Sequence, residues 1–332
     1  MRISVIGAGG WGTALSIILQ NNGHDVTLWE YKRSYAKSLS KSRVNKVYLP
    51  GIKLPKEIKI THDLDEAVEG MHMIVLAIPS QYLRGVLQKL KKVDFTDTIL
   101  VSVAKGIETE TLFTVSLIIK DVIKNISDSN IGVLSGPSHA EEVAKKIPTA
   151  VVAASKSFET AEQIQAAFMT SYFRVYSSTD IIGVELGGAL KNVIAIGAGI
   201  IDGAKFGDNT KAAIMTRGVA EISRLGIELG ARPETFSGLS GMGDVIVTCM
   251  SKHSRNRYVG EQIGKGIKLK DVLKSMNMVA EGVVTAKSAR ELALQAKVET
   301  PIIDAVYKTL YENRDPQKMT FELMNRDMKS EH

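Results

Sequence analysis

The feature that most limits how this chain can fold is the alternation of short apolar runs with helical patterns through its first half. Candidate strands cover residues 3–6, 26–29, 58–61, 73–78, 99–103, 131–134, 150–154 and 174–176. Helical spacing lies between most of them, at 10–22, 63–69, 81–91, 112–124, 140–146 and 159–170. Most of the strands are unbroken apolar runs, as burial on both faces requires, so the pattern predicts a largely parallel sheet covered by helices. After residue 176 the strand signals fade. Segments 182–201, 210–229, 271–276, 284–295 and 302–311 then read as helices with Gly or Pro between them. A chain of 332 residues exceeds the size at which single cores usually stop growing. Two domains are therefore expected, 1–179 with the sheet and 180–332 all-α, with a cleft between them and a polar tail from Asn313 that frays.

The run Gly7-Ala8-Gly9-Gly10-Trp11-Gly12 follows the first strand and opens the first helix. A lone G-x-G-x-x-G is weak, because 28 glycines produce such spacings by accident. The strand before it and the helix and strand after it give it meaning as a site for a dinucleotide's pyrophosphate. Gly7 permits the tight turn, Gly9 the approach of backbone to phosphate, and Gly12 close packing of helix on sheet. Free N–H groups and the helix dipole favour the anion. Glu30, ending the second strand, suits the ribose hydroxyls of NAD, whereas Lys32 and Arg33 suit the 2′-phosphate of NADP, or are a solvated helix start. NAD and NADP both stay open.

The formal charge of +6 is a modest excess, with no block of five like charges and no aromatics interleaved with the basic residues. It fits anionic metabolites better than nucleic acid. Cys249 is the only cysteine, so neither an internal disulfide nor a Cys cluster is available, and a reducing compartment is expected. The start at Met1 has neither a signal nor a transit pattern, and no apolar run approaches the ~18 residues of a membrane helix. A cytoplasmic protein without a membrane partner is expected. His24, His62, His72, His139, His253 and His332 show no paired spacing, so no metal site is expected, and Ser138-His139 are merely adjacent, not a nucleophilic triad.

Several further stretches read together. Besides the glycine run with Thr13-Ala14-Leu15, they are Tyr48-Leu49-Pro50-Gly51, Ala104-Lys105-Gly106-Ile107-Glu108, Leu134-Ser135-Gly136-Pro137-Ser138 and Phe173-Arg174-Val175-Tyr176. Later in the chain come Glu185-Leu186-Gly187-Gly188-Ala189-Leu190-Lys191-Asn192-Val193, Gly241-Met242-Gly243-Asp244, Ser254-Arg255-Asn256-Arg257 and Ala280-Glu281-Gly282. In order and over nearly the whole chain these resemble bacterial NAD(P)-dependent glycerol-3-phosphate dehydrogenase. The resemblance implies a Rossmann domain followed by an all-α domain of the 6-phosphogluconate-dehydrogenase type. It also implies a homodimer that reduces dihydroxyacetone phosphate and supplies glycerol 3-phosphate for phospholipid synthesis.

By residue, the resemblance implies that Lys191 is the proton donor and acceptor, and that Lys105, Gly136, Ser138, Asp244, Ser254, Arg255 and Asn256 join it in touching the substrate. Cofactor contacts are implied at Gly7, Gly9, Gly10, Trp11, Gly12, Glu30, Tyr31, Lys32, Lys105, Ala140, Arg255, Val279 and Glu281. The residues' own chemistry is compatible with these roles but less specific. Lys191 stands on an apolar helix among small residues, where an unpaired lysine is costly to bury and should face a cleft, or else snorkels. Lys105 follows a strand at the carboxyl end where α/β sheets bind ligands, or is a loop lysine in solvent. Ser254-Arg255-Asn256 concentrates phosphate donors, as solvated loop ends also do. Asp244 either orients Lys191 or caps a helix. Two other readings of the chain remain: a two-domain dehydrogenase of a hydroxy or sugar acid, and a non-catalytic dinucleotide sensor.

Overall fold

The computed structural model describes residues 1–276, 278–328 and 330, so His332 lies outside the described residues. All eight expected strands form: β1 (Arg2–Ile6), β2 (Asp25–Trp29), β3 (Lys59–Thr61), β4 (Met73–Leu76), β5 (Ile99–Ser102), β6 (Ile131–Ser135), β7 (Thr149–Ser155) and β8 (Phe173–Ser178). They make one sheet in the order β3-β2-β1-β4-β5-β6-β7-β8. Every neighbouring pair is parallel except β6 and β7. The central strands are buried throughout, and one core lies on each face of the sheet. This is the Rossmann-type α/β fold with a helical second part.

The helical part is built round Ile181–Gly203, which begins just after β8 and is buried along almost its whole length. Around it pack Asp208–Glu228, Arg255–Gly264, Glu281–Gln295 and Pro301–Tyr311. Its glycines let partner helices come very close: a Cβ at Gly199 would lie 2.0 Å from the Arg257 carbonyl oxygen. The expectation about apolar runs needs correcting here. Ile181–Gly203 is long and apolar enough to cross a membrane, but 89% of its most apolar window is buried within the protein. Glu185 and Lys191 interrupt the run in sequence without breaking the helix.

One buried carboxylate ties this helix to the sheet half, and a second fixes its start within the helical half. The buried Glu185 carboxylate accepts from Ser116 N at 2.8 Å and from the Thr114 and Ser116 hydroxyls, satisfying the start of helix Val115–Val122. Burial pushes its pKa up, and these donors act against that. Asp180 caps the helix through Gly183 N at 2.9 Å and also accepts from Arg232 N and Thr235 Oγ1.

Arg255–Gly264 has no counterpart in the expectations, and Arg33–Ser42 and Asp244–Met250 form where a helix start stood as one of two readings. Part of the tail expected to fray also forms a helix, Pro316–Met324. Asp315 accepts from Lys318 N at its start, Pro316 occupies its first turn, Met319 is buried, and Phe321 meets Phe206 edge-on at 5.9 Å.

Candidate active site

Because β1, β4, β5 and β6 run parallel, their carboxyl ends open on one edge of the sheet. The strand order reverses between β1 and β4, and the crevice at such a switch point is where open α/β sheets bind ligands. The glycine run leaves β1 there. Gly7 has φ +121°, and a Cβ on it would lie 2.5 Å from the Ala77 carbonyl oxygen. A Cβ on Gly12 would lie 2.0 Å from Gly7 O. Only glycine allows the turn to close so tightly against the end of β4.

In front of Gly9, by contrast, a Cβ would meet nothing within 4 Å. The helix Gly10–Asn21 has no side-chain cap and no acidic residue in its first turn, and Trp11 Nε1 is buried without a partner. Open space before uncapped N–H groups is what a pyrophosphate requires, so the loop fits a dinucleotide. Beside it, at the end of β2, Glu30 is buried and accepts from Lys32 N at 2.9 Å, while Tyr31 and Lys32 are exposed. Burial raises the Glu30 pKa, and the Lys32 amide opposes the rise.

At the carboxyl end of β5 and on the long helix, two lysines converge on one carboxylate. Lys191 Nζ donates to Asp244 Oδ1 at 2.8 Å and to Thr248 Oγ1 at 2.6 Å. Lys105 Nζ donates to the other oxygen, Asp244 Oδ2, at 2.6 Å and to Gly136 O at 2.8 Å. Lys191 is 6% exposed and Asp244 1%. Lys191 is thus not an unpaired lysine facing open space but a buried, paired one.

Asp244 is the first residue of helix Asp244–Met250 and follows a π-helical turn, Leu239–Gly243, whose extra residue per turn re-aims what comes next. Thr248 lies four residues on, so one helix face offers both partners to Lys191. The Asp244 carboxylate goes to the lysines and makes no cap.

Burial pulls the Lys191 pKa down to about 8, Lys105 pushes the same way, and Asp244 opposes. Burial works to raise the pKa of Asp244, but Lys105 and Lys191 outweigh it and hold the carboxyl below its ordinary value. The site is therefore a carboxylate between two ammonium groups, one of which loses its proton readily. An amide chain fixes the surroundings. Asn192 Nδ2 donates to Lys105 O at 3.0 Å, Asn256 Nδ2 to Asn192 Oδ1 at 2.8 Å, and Gly282 N to Asn256 Oδ1 at 2.9 Å. Four segments, the Lys105 loop and three helices, are held in register by that chain.

The family descriptions NAD-dependent glycerol-3-phosphate dehydrogenase N-terminus and C-terminus match residues 2–161 and 180–321 of this chain. The chain belongs to the NAD-dependent glycerol-3-phosphate dehydrogenase family. It is 53% identical over 331 residues to glycerol-3-phosphate dehydrogenase [NAD(P)+] of Chlorobium phaeobacteroides strain BS1, covering 100% of this chain and 99% of the relative. It is 51% identical to the enzyme of the same description from Thermoanaerobacter sp. strain X514, with the same coverage. The crystal structure of glycerol-3-phosphate dehydrogenase from Coxiella burnetii superposes with a TM-score of 0.94 at 34% identity, over 98% of this chain and 99% of that one. Family membership makes the chain an NAD(P)-dependent oxidoreductase.

The remaining expected site residues of this dehydrogenase divide by what they touch. Ser138 Oγ donates to Gly136 O at 3.0 Å, and Ala140 opens a short helix beside Gly10. Arg255 Nη1 donates to Val279 O at 2.9 Å, and Glu281 accepts from Ser80 N at 3.1 Å, joining the second part of the chain to the segment that follows β4. Ser254 Oγ accepts from Arg257 N as a helix cap, which leaves its proton free to donate. Asn256 is buried and tied to Asn192 and Gly282. Arg257 turns away to Asp202 at 2.7 Å and Glu261 at 3.4 Å, so only part of the basic cluster stands at the site.

Sequence reasoning missed Thr248 and Asn192. Spacing of four from Asp244 could have pointed to Thr248, but nothing local marks Asn192. Among the described residues no group of three or more His, Cys, Asp or Glu converges as a metal site would.

Proposed function

We propose that this dehydrogenase reduces dihydroxyacetone phosphate to sn-glycerol 3-phosphate, the precursor of glycerophospholipids, with Lys191 giving its proton to the carbonyl oxygen. The observation that carries the reading is the Lys191–Asp244–Lys105 cluster, a buried ion pair joined by a part-buried second lysine at the carboxyl edge of the sheet. The hydride for the ketone carbon is what NAD(P)H supplies when bound.

As negative charge develops on the carbonyl oxygen, the Lys105 ammonium stabilises it and Lys191 Nζ–H transfers its proton. Lys191 is left neutral, still bonded to Thr248 and Asp244, and takes a new proton from solvent. In reverse, neutral Lys191 accepts the proton of the secondary hydroxyl. Ser254 and Arg255 are read as donors to the phosphate. Gly136, Ser138, Asp244 and Asn256 complete the substrate side. Gly7, Gly9, Gly10, Trp11, Gly12, Glu30, Tyr31, Lys32, Ala140, Val279 and Glu281 line the cofactor side, and Lys105 and Arg255 reach both. We read residues 1–179 as the dinucleotide domain and 180–332 as the substrate domain of a cytoplasmic homodimer, a division supported by the change from sheet to helices that follows β8.

The direct test follows reduced-nicotinamide absorbance with dihydroxyacetone phosphate, once with NADH and once with NADPH. Oxidation of either at an enzymatic rate is expected, and silence with both overturns the reading. Two further outcomes follow. Reduction requires protonated Lys191, so its rate should fall as pH rises through about 8, whereas oxidation of glycerol 3-phosphate requires the neutral amine and should rise over the same interval. Parallel pH profiles in the two directions would exclude Lys191 as the proton carrier. Arg255→Ala should raise KM for dihydroxyacetone phosphate by about tenfold or more, with a smaller change in kcat at saturation; an unchanged KM removes Arg255 from the phosphate site.

A further inference from the structure

Among the described residues six buried side-chain polar atoms have no hydrogen-bond partner. Four of them, Trp11 Nε1, Ser135 Oγ, His139 Nε2 and Ser240 Oγ, belong to segments beside the glycine run and the lysine cluster. Buried polar atoms are nearly always satisfied, so an orphan at a ligand crevice marks a place where another molecule completes the bonding. His139 is the one among them with a titratable ring and no assigned part in the reaction.

Its position is specific. His139 follows Gly136-Pro137-Ser138 on the carboxyl edge of the sheet and precedes helix Ala140–Val143. Its ring lies tilted against that of His253, with centroids 5.8 Å apart and planes at 51°. His253 immediately precedes Ser254 and Arg255, the donors read above as holding the phosphate. The two imidazoles therefore join the turn after β6 to the phosphate-side segment.

We propose that His139 is a substrate-contacting residue, donating from Nε2 to the phosphate of the three-carbon substrate. The inference rests on the functional reading given above. Burial lowers the pKa of the imidazole, with Lys191 and then Lys105 acting in the same direction, while Glu141 and Glu142 partly compensate. A neutral ring offers one N–H and one acceptor nitrogen, and the role requires the tautomer with the proton on Nε2. A bond from that N–H to a phosphate oxygen is charge-assisted and satisfies the orphan. Unlike a third cation, a neutral donor adds no charge to repel Lys191 and Lys105. The competing explanation is that the ring only fills space between the two halves.

His139→Phe keeps the ring and loses the nitrogen, and His139→Gln restores an N–H near the Nε2 position. Initial rates of the purified full chain, with dihydroxyacetone phosphate and NADH varied in turn and inorganic phosphate as competitive inhibitor, separate the explanations. For His139→Phe, KM for dihydroxyacetone phosphate should rise roughly tenfold, the inhibition constant of inorganic phosphate should rise by a similar factor, and KM for NADH should stay within about twofold. His139→Gln should recover most of the loss. An unchanged KM in His139→Phe overturns the proposal, as does an equal loss in both variants, or a loss confined to NADH. A wild-type chain inactive with dihydroxyacetone phosphate defeats the substrate reading itself, whereas an active wild type with an indifferent His139→Phe defeats only the part given to His139.

Discussion

Lys191→Met is expected to lower kcat for dihydroxyacetone phosphate reduction by about 10²- to 10⁴-fold, the usual contribution of a positioned proton donor, while NADH still binds. The same change should leave the fold as stable as the wild type or more so. Lys191 is buried and charged, and removing its ammonium leaves Asp244 with Lys105 at 2.6 Å and the Thr248 hydroxyl at 3.3 Å, so no buried charge loses its last partner. Replacing a buried ion by a well-packed apolar side chain of similar volume is often neutral or stabilising. Because the folded-state pKa lies below the ordinary value of 10.5, the burden of the buried charge is full below about pH 8 and fades as pH rises toward 10.5. Any gain in stability should therefore be largest below pH 8. Thermal midpoints and NADH fluorescence titration, run beside kcat, check all three expectations; a Lys191→Met chain with near-normal turnover would end the assignment.

Asp244→Leu should be inactive for the opposite physical reason. Both lysines lose their counter-charge at once. Lys191 keeps only the Thr248 hydroxyl and Lys105 only the Gly136 carbonyl. Breaking a buried ion pair by removing one partner typically costs about 3–5 kcal/mol, because an uncompensated charge stays inside. The variant should melt well below wild type near neutral pH and recover part of the deficit as pH rises and Lys191 deprotonates. A second substitution, Lys191→Met on Asp244→Leu, should restore stability without restoring turnover. If Asp244→Leu melts like the wild type, Asp244 is not the electrostatic centre of the site.

These two variants break the same ion pair yet should move stability in opposite directions, and that asymmetry bears on what can be read from a chain. The strands and the long helices were legible because burial on both faces leaves unbroken apolar runs, and burial on one face leaves periodic ones. Helix Arg33–Ser42 was not, since only Ala36 and Leu39 are buried and the rest is polar. Arg255–Gly264 looked like a basic loop because only Val259 and Ile263 give it an apolar signal, while much of its close packing against the Lys191 helix is by glycine, Gly260 against Ile196 and Gly264 against Ile200. The tail helix was hidden for the same kind of reason, since it buries only Met319 and rests otherwise on a cap and an aromatic contact.

The sequence by itself determined the parallel sheet, the glycine turn at its first crossover and, through its motifs, the family. These follow from short-range rules: strand period, helix period and the few residues a tight turn allows. Only the tertiary structure decided the state of Lys191. Its partners stand 53 and 57 residues away, and the second lysine on Asp244 is 139 residues from that carboxylate. Whether a lysine on an apolar helix snorkels or is buried and paired depends on which polar face arrives opposite it. That is set by the packing of whole helices and a π turn, not by spacing along the chain.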